Sequence, residues 1–178
     1  MATPAIDAPH PVIVTGGGRG LGRAIALALA GLGCPVAVNY RADRTSADRT
    51  VADIVGAGGR VVAIAADVAS EDGAAHLVAA ATAAHGTTGI LVNNAGIALQ
   101  RDVFATTVDD FDTTFRVNVR SAFLMSQAVI AGMRELKFGR LIFLSSNASR
   151  TGGSMSAPYA GSKAAMEAMM HHYAQRLG

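Results

Sequence analysis

Apolar positions along this chain fall into short continuous runs, each followed by a longer stretch of helical period. Residues 12–15, Val-Ile-Val-Thr, form the first run, and a helix is predicted over 21–32 before a second run, Val36-Ala-Val-Asn-Tyr40. The alternation continues with a helix over 46–57, a strand over 61–66, a helix over 70–85 and a strand over 90–93. Thr107 is placed to cap a long helix reaching residue 135, in which Phe111, Phe115, Val119 and Ala122 recur at spacings of four, four and three and make one apolar stripe. A strand over 140–145 follows. The last helix starts near Pro158, whose fixed φ suits a first turn, and runs to the end of the chain.

Repeated strand–helix units without an internal linker predict a Rossmann-type, doubly wound α/β fold. It would have three α/β/α layers, a parallel sheet, and ligands at the carboxyl ends of the strands. The domain is expected to span residues 12–178, with residues 1–11, which hold three prolines, as a flexible lead-in. The sheet is expected to be incomplete after the last helix.

Composition narrows the class. With 51% hydrophobic and 16% charged residues the chain is too apolar for disorder. No apolar run approaches the roughly 20 residues of a membrane-spanning helix. The first residues lack the basic and apolar regions of a signal peptide. The single Cys34 beside an apolar strand fits a packed thiol in a reducing compartment, so a cytoplasmic protein with no membrane partner is expected. The net charge of +2 and scattered arginines exclude a nucleic-acid surface.

Directly after the first strand comes Thr15-Gly-Gly-Gly-Arg-Gly-Leu-Gly22, opening a helix. Gly16 would permit the turn, Gly20 the approach of backbone to a pyrophosphate, and Gly22 close helix–strand packing, with the helix amino terminus meeting phosphate. The spacing departs from G-x-G-x-x-G because position 21 is Leu. It resembles the T-G-x-x-x-G-x-G of short-chain dehydrogenases/reductases, with Thr15, Gly16, Gly18, Arg19, Gly20, Leu21 and Gly22 as the cofactor loop.

That resemblance implies a nicotinamide dinucleotide. An acid at the end of strand two would favour NAD(H). The sequence instead has Asn39-Tyr40-Arg41 there, and with Arg19 two guanidinium groups could flank a 2′-phosphate. NADP(H) is therefore the expected cofactor. NAD(H) stays open because Asp43 can reach a ribose hydroxyl. Asp67 and Val68, ending strand three, resemble the residues that meet adenine, although an Asp capping the next helix fits equally. Asn93-Asn94-Ala95-Gly96 resembles the family's N-N-A-G element along the adenosine half, with Asn93 as much structural as ligand-binding.

The chain holds three tyrosines and two lysines, yet Tyr159 and Lys163 stand at i and i+4 on one helical face, thirteen residues after Ser146. A free phenol loses its proton near pH 10, and an ammonium within about 4–6 Å favours the phenolate. Such a pair can therefore move a proton near neutral pH, with Lys163 also reaching the cofactor ribose. Ser146 would hydrogen-bond a substrate carbonyl, whereas Ser145, its strand neighbour, should point the opposite way. Asn118, in Val117-Asn-Val119, matches the family Asn that holds a water linking the lysine to solvent; a buried structural amide that kinks the helix is the alternative. No metal site is expected, since His171 and His172 lack partners at ligand spacing.

The N-N-A-G element, the Tyr-Ala-Gly-Ser-Lys run and Asn-Tyr-Arg resemble the 3-oxoacyl-acyl-carrier-protein reductase group. The implied activity is interconversion of a ketone and a secondary alcohol by hydride transfer, in a homodimer or homotetramer. A nucleotide-binding, non-catalytic protein of the same fold is the competing reading. A methyltransferase-like α/β protein leaves Tyr159, Lys163 and Ser146 unexplained.

Overall fold

The computed structural model describes residues 9–177. Five strands form one sheet: β1 (Val12–Val14), β2 (Val36–Tyr40), β3 (Val61–Ala65), β4 (Ile90–Asn93) and β5 (Arg140–Phe143). All are parallel, in the order β3-β2-β1-β4-β5, with Val12 opposite both Val36 and Ile90. The order reverses between β1 and β4, where a crevice opens at the carboxyl edge.

Alternate strand residues feed opposite cores. Val12, Val14, Val36, Val38 and Val92 pack against Ala26 and Ala30 of α1 (Gly20–Gly31) and Ile54 of α2 (Arg44–Gly56). Ile13, Ala37 and Leu91 face Leu77 of α3 (Glu71–His85) and Met125, Val129 and Met133 further along the chain. Each large apolar side chain so enclosed contributes about 1.5–3 kcal/mol. These two cores on one sheet make the three-layer α/β/α arrangement that the sequence predicts.

Three local expectations change. The long helix is interrupted: α4 (Val108–Phe115) passes into a π turn at Arg116–Arg120 before α5 (Ser121–Leu136). The wider turn shifts the phase of the apolar stripe, so Phe111 is 46% exposed and stacks on Phe115 at 4.4 Å while Ala122 is buried. Strand five ends at Phe143, and a short helix α6 (Ala148–Thr151) precedes α7 (Ala157–Leu177). The lead-in is held at its end, since Pro11 O accepts from Gly89 N and Ile90 N, and the His10 ring stacks on Phe138 at 3.8 Å. Residues 1–8 of that expected lead-in lie outside the described residues. No helix among the described residues is long and apolar enough to cross a membrane.

Candidate active site

The glycine loop is held by residues far along the chain. Thr15 Oγ1 donates to Val92 O at 3.2 Å and accepts from Asn94 N and Ala95 N at 3.0 and 2.9 Å. Asn94 Nδ2 donates to Thr15 O and Gly16 O at 2.8 and 3.1 Å. Asn39, buried, accepts from Gly16 N at 3.3 Å and donates to Ala66 O at 3.1 Å. Asn39 and Asn94 therefore act here as struts whose amides are taken up by backbone. A Cβ on Gly22 would run into the Gly16 carbonyl and approach Asn94 Nδ2 to 2.5 Å, so only glycine lets α1 start this close to β4. Gly16, at φ +62°, takes the left-handed turn that the loop needs.

Helices α2, α3 and α4 are capped by the side chains of Asp43, Ser70 and Thr107. At α1 the corresponding residue, Arg19, makes no side-chain cap. Its first-turn N–H groups are thus left for another acceptor. All the proposed cofactor positions from the loop and from the ends of β2, β3 and β4, apart from Thr15 beneath them, line one groove of about 520 Å³.

The end of that groove beside β2 is basic but mixed. Arg19 and Arg41 border it together with Asp43. Asp43 accepts from Ser46 N at 3.0 Å; the Ser46 hydroxyl first, then that N–H and the nearby Arg19 and Arg49 charges, hold its carboxyl below the usual range. Ser46 and Arg49, which sequence reasoning did not select, line a 400 Å³ recess continuous with Arg19. Their i, i+3 spacing on the helix after Asn-Tyr-Arg is the signal that could have found them. Asp67 is not the cap of α3, a role Ser70 fills; it accepts from Ala69 N at 3.0 Å and pairs with Arg116 at 3.3 Å.

Tyr159 and Lys163, which are not among the residues lining that groove, rise from the first turns of α7. Lys163 is only 6% exposed, and burial pushes its ammonium below the ordinary lysine value. Nζ donates to Leu144 O at 2.6 Å and lies 5.9 Å from the centre of the Tyr159 ring. Leu144 is two residues before Ser146, so the lysine joins the tyrosine helix to the end of strand five. Ser146 Oγ accepts from Ala148 N at 3.2 Å, whereas Ser145 Oγ donates to Glu167 at 2.8 Å on α7. The two serines thus have different partners, although both lie past the end of β5, where strand alternation no longer applies.

Asn118, fully buried in the π turn, accepts from Ile97 N at 2.8 Å and donates to Ile97 O and Ser162 Oγ, both at 3.0 Å. Its side chain is thus occupied by the loop after β4 and by α7. The structural-amide alternative describes these contacts. Ser162 Oγ in turn donates to Tyr159 O at 2.7 Å, linking the amide to the tyrosine turn.

The family model described as short chain dehydrogenase matches residues 10–178. The chain belongs to the short-chain dehydrogenase family. Among curated members of that family, the 3-oxoacyl-[acyl-carrier-protein] reductase of Synechocystis is 37% identical over 152 residues, covering 85% of this chain and 62% of the relative. Versicolorin reductase stcU of Emericella nidulans is 40% identical over 156 residues, covering 87% of this chain and 58% of the relative. The chain thus spans about three fifths of the length of these short-chain dehydrogenase relatives. A short-chain dehydrogenase/reductase structure from Serratia marcescens superposes with a TM-score of 0.87 at 36% identity, covering 95% of this chain and 69% of that one. A metagenomic short-chain oxidoreductase in complex with NADP gives 0.88 at 31% identity, covering 94% and 75%.

Proposed function

We propose that this protein binds NADP(H) and interconverts a ketone and a secondary alcohol, with Tyr159 as general acid and base. The observation that carries the reading is Lys163. A buried ammonium bridges the Tyr159 turn and the Leu144 carbonyl at the carboxyl edge of the sheet, the edge that also carries the glycine loop and its uncapped helix. The groove fits a dinucleotide: its floor is glycine backbone where a side chain would collide, and its polar edge offers N–H donors and the Arg19 and Arg41 cations. Gly16, Gly18 and Gly20 would hold the pyrophosphate, Arg19 and Arg41 the 2′-phosphate, and Asp67 and Val68 the adenine edge. NADPH supplies the hydride when bound.

The chain's own residues do the rest. Ser146 Oγ donates to the substrate carbonyl oxygen and polarises it. Tyr159 transfers its phenolic proton to that oxygen as negative charge develops, and takes it back in the oxidative direction. Lys163 Nζ donates to Leu144 O and to Met166 Sδ, which leaves one ammonium proton to hold a ribose hydroxyl, and its charge favours the phenolate after transfer. Asn118 keeps the loop at Ile97 and the tyrosine turn in fixed relation.

The relative named 3-oxoacyl-[acyl-carrier-protein] reductase supports a 3-oxoacyl thioester as the ketone class, and the NADP complex among the similar structures supports the phosphorylated cofactor. The reading extends to a cytoplasmic homodimer or homotetramer, supported by the buried free thiol of Cys34 and the half-exposed Phe111 and Phe123 on the α4–α5 face.

Replacing Tyr159 by Phe keeps the ring and removes the proton. With NADPH and ethyl 3-oxobutanoate, Tyr159→Phe is expected to lose at least about 10²-fold in turnover with cofactor affinity within about twofold, because the O–H removed acts only in the transition state and the ring's packing is kept. Near-normal turnover in this variant would overturn the assignment and leave the nucleotide-binding reading in its place.

A further inference from the structure

Tyr159, Lys163 and Glu167 stand one turn apart on a single face of α7. The first two belong to the proposed chemistry. Glu167 has no part in it, yet its carboxylate holds the loop that carries Ser146. Oε1 accepts from Ser145 Oγ at 2.8 Å and from Ser149 Oγ at 2.7 Å, and Oε2 lies 3.9 Å from Arg150 Nε. One carboxylate oxygen thus grips the chain on both sides of Ser146.

Two further ties reach that segment from α7: Lys163 Nζ donates to Leu144 O at 2.6 Å, and Ser145 Oγ lies 3.4 Å from Lys163 O. Leu144 N also donates to Asn93 O at 3.0 Å, but beyond it the chain leaves the sheet, and α6, with 4 residues, is too short to stand by itself. Ser146 O accepts from Ser149 N at 3.1 Å and lies 2.7 Å from Ser149 Oγ, so the placement of Ser146 follows that of Ser149. The Ser149 hydroxyl has one proton and two acceptors, Ser146 O and Glu167 Oε1. A carboxylate is the stronger acceptor, which directs the proton to Glu167 and draws the whole turn against α7. Hydrogen bonds from Ser149 and Ser145, with the Arg150 and His171 charges behind them, hold the Glu167 carboxyl below its usual range and keep it ionised at neutral pH.

We propose that Glu167 is a positioning residue: by clamping Ser145 and Ser149 to α7 it holds the Ser146 hydroxyl in register with Tyr159 and Lys163, and this rests on the role given above to Ser146. Strand β5 alone does not determine where that hydroxyl lies. The tyrosine helix sets it through its own third turn, so proton donor and carbonyl-binding hydroxyl move as one body.

A double-mutant cycle on the full chain, with NADPH and ethyl 3-oxobutanoate, tests this. Glu167→Ala should lower kcat/KM by about 10- to 100-fold, the span of coupling within one hydrogen-bond network, and should lose less than about threefold when Ser146 is already alanine. Cofactor affinity, followed by NADPH fluorescence, should stay within about twofold because Glu167 itself lines no part of the nucleotide groove. An equal loss in both backgrounds, or weakened NADPH binding, would mean general loosening of α7 and overturns the proposal. Glu167→Gln preserves shape and should show an intermediate loss, which keeps the test open if the alanine variant does not fold. Hydrogen exchange separates this idea from the reading beneath it. Backbone amides of 146–152 should exchange about tenfold or more faster in either variant while β1 amides are unchanged. If the unaltered protein reduces no ketone, the catalytic reading fails and exchange alone decides: faster exchange at 146–152 retains the clamp, and unchanged exchange removes it.

Discussion

Replacing Asn118 by alanine tests how far one buried amide holds this site together. The substitution deletes the three hydrogen bonds that join the π turn to Ile97 N, Ile97 O and Ser162 Oγ. Each such bond contributes about 1 kcal/mol net, and a partner left buried without a bond costs about 1–3 kcal/mol. The partners differ in what they suffer. Ile97 is only half-buried, so water can reach its backbone, and Ser162 keeps its bond to Tyr159 O, which places the loss near the low end. The expected destabilisation is about 3 kcal/mol, against a total of about 5–15 kcal/mol for a typical domain. For a chain of this size that lowers Tm by about 6–12 °C. Urea unfolding followed by far-ultraviolet circular dichroism measures it directly, with the slope m unchanged if the unfolded state is unaffected. Asn118→Asp, which retains the acceptor for Ile97 N but sets a carboxylate against Ile97 O, should be about as damaging. A loss below about 1 kcal/mol in the alanine variant would mean that backbone bonding alone holds the π turn, and the argument made for Asn118 would fall.

Gly22→Ala should displace the glycine loop, costing about 1–3 kcal/mol in stability and at least about tenfold in NADPH affinity by calorimetry, since one hydrogen-bonded donor withdrawn is worth that much; unchanged affinity would refute the close-approach argument. Arg41→Ala should weaken NADPH by about tenfold or more and leave NADH little altered, and equal loss for both cofactors would remove Arg41 from the 2′-phosphate. Asp110 is held below the usual carboxylate range by the Thr107 N–H and then by Arg101, so its folded value is lower than its unfolded one. Its stabilisation is therefore complete above about pH 4, the unfolded value, and is lost as pH falls below it. Urea midpoints between pH 6 and pH 3 should fall less steeply in Asp110→Asn.

The sheet and its order of elements were legible because strands buried on both faces read as unbroken apolar runs, as in Val36-Ala-Val and Ile90-Leu-Val. The glycine loop was legible for a related reason: backbone geometry there tolerates one residue type. The π turn was not, because Arg-Val-Asn-Val-Arg has the apolar spacing of an ordinary helix and the extra residue is accommodated only when Asn118 finds Ile97 across the crevice. Nor were the particular partners of Asn39 and Asn94, whose amides serve Gly16 N and Thr15 O, 23 and 79 positions away, a relation no local pattern carries. Glu167 escaped notice because an acid four residues past a lysine on an exposed-looking helix reads as a solvated pair. Only the path of the chain after β5 brings Ser145 and Ser149 to it.

The distance along the chain between Thr15 and Asn94 has a kinetic consequence. The central strand β1 pairs with β2 early in the sequence but with β4 only after some eighty residues, and the bonds that shape the glycine loop cross that same interval. Closing so long a loop precedes any reward from the contacts it makes, which slows folding in sheets of this type. The nucleotide-binding end therefore does not exist in a chain whose amino-terminal βαβ unit alone has formed. A dinucleotide cannot act as a template for this half of the molecule; it can only trap the finished fold, retarding unfolding by mass action while leaving the refolding rate where the bare chain sets it.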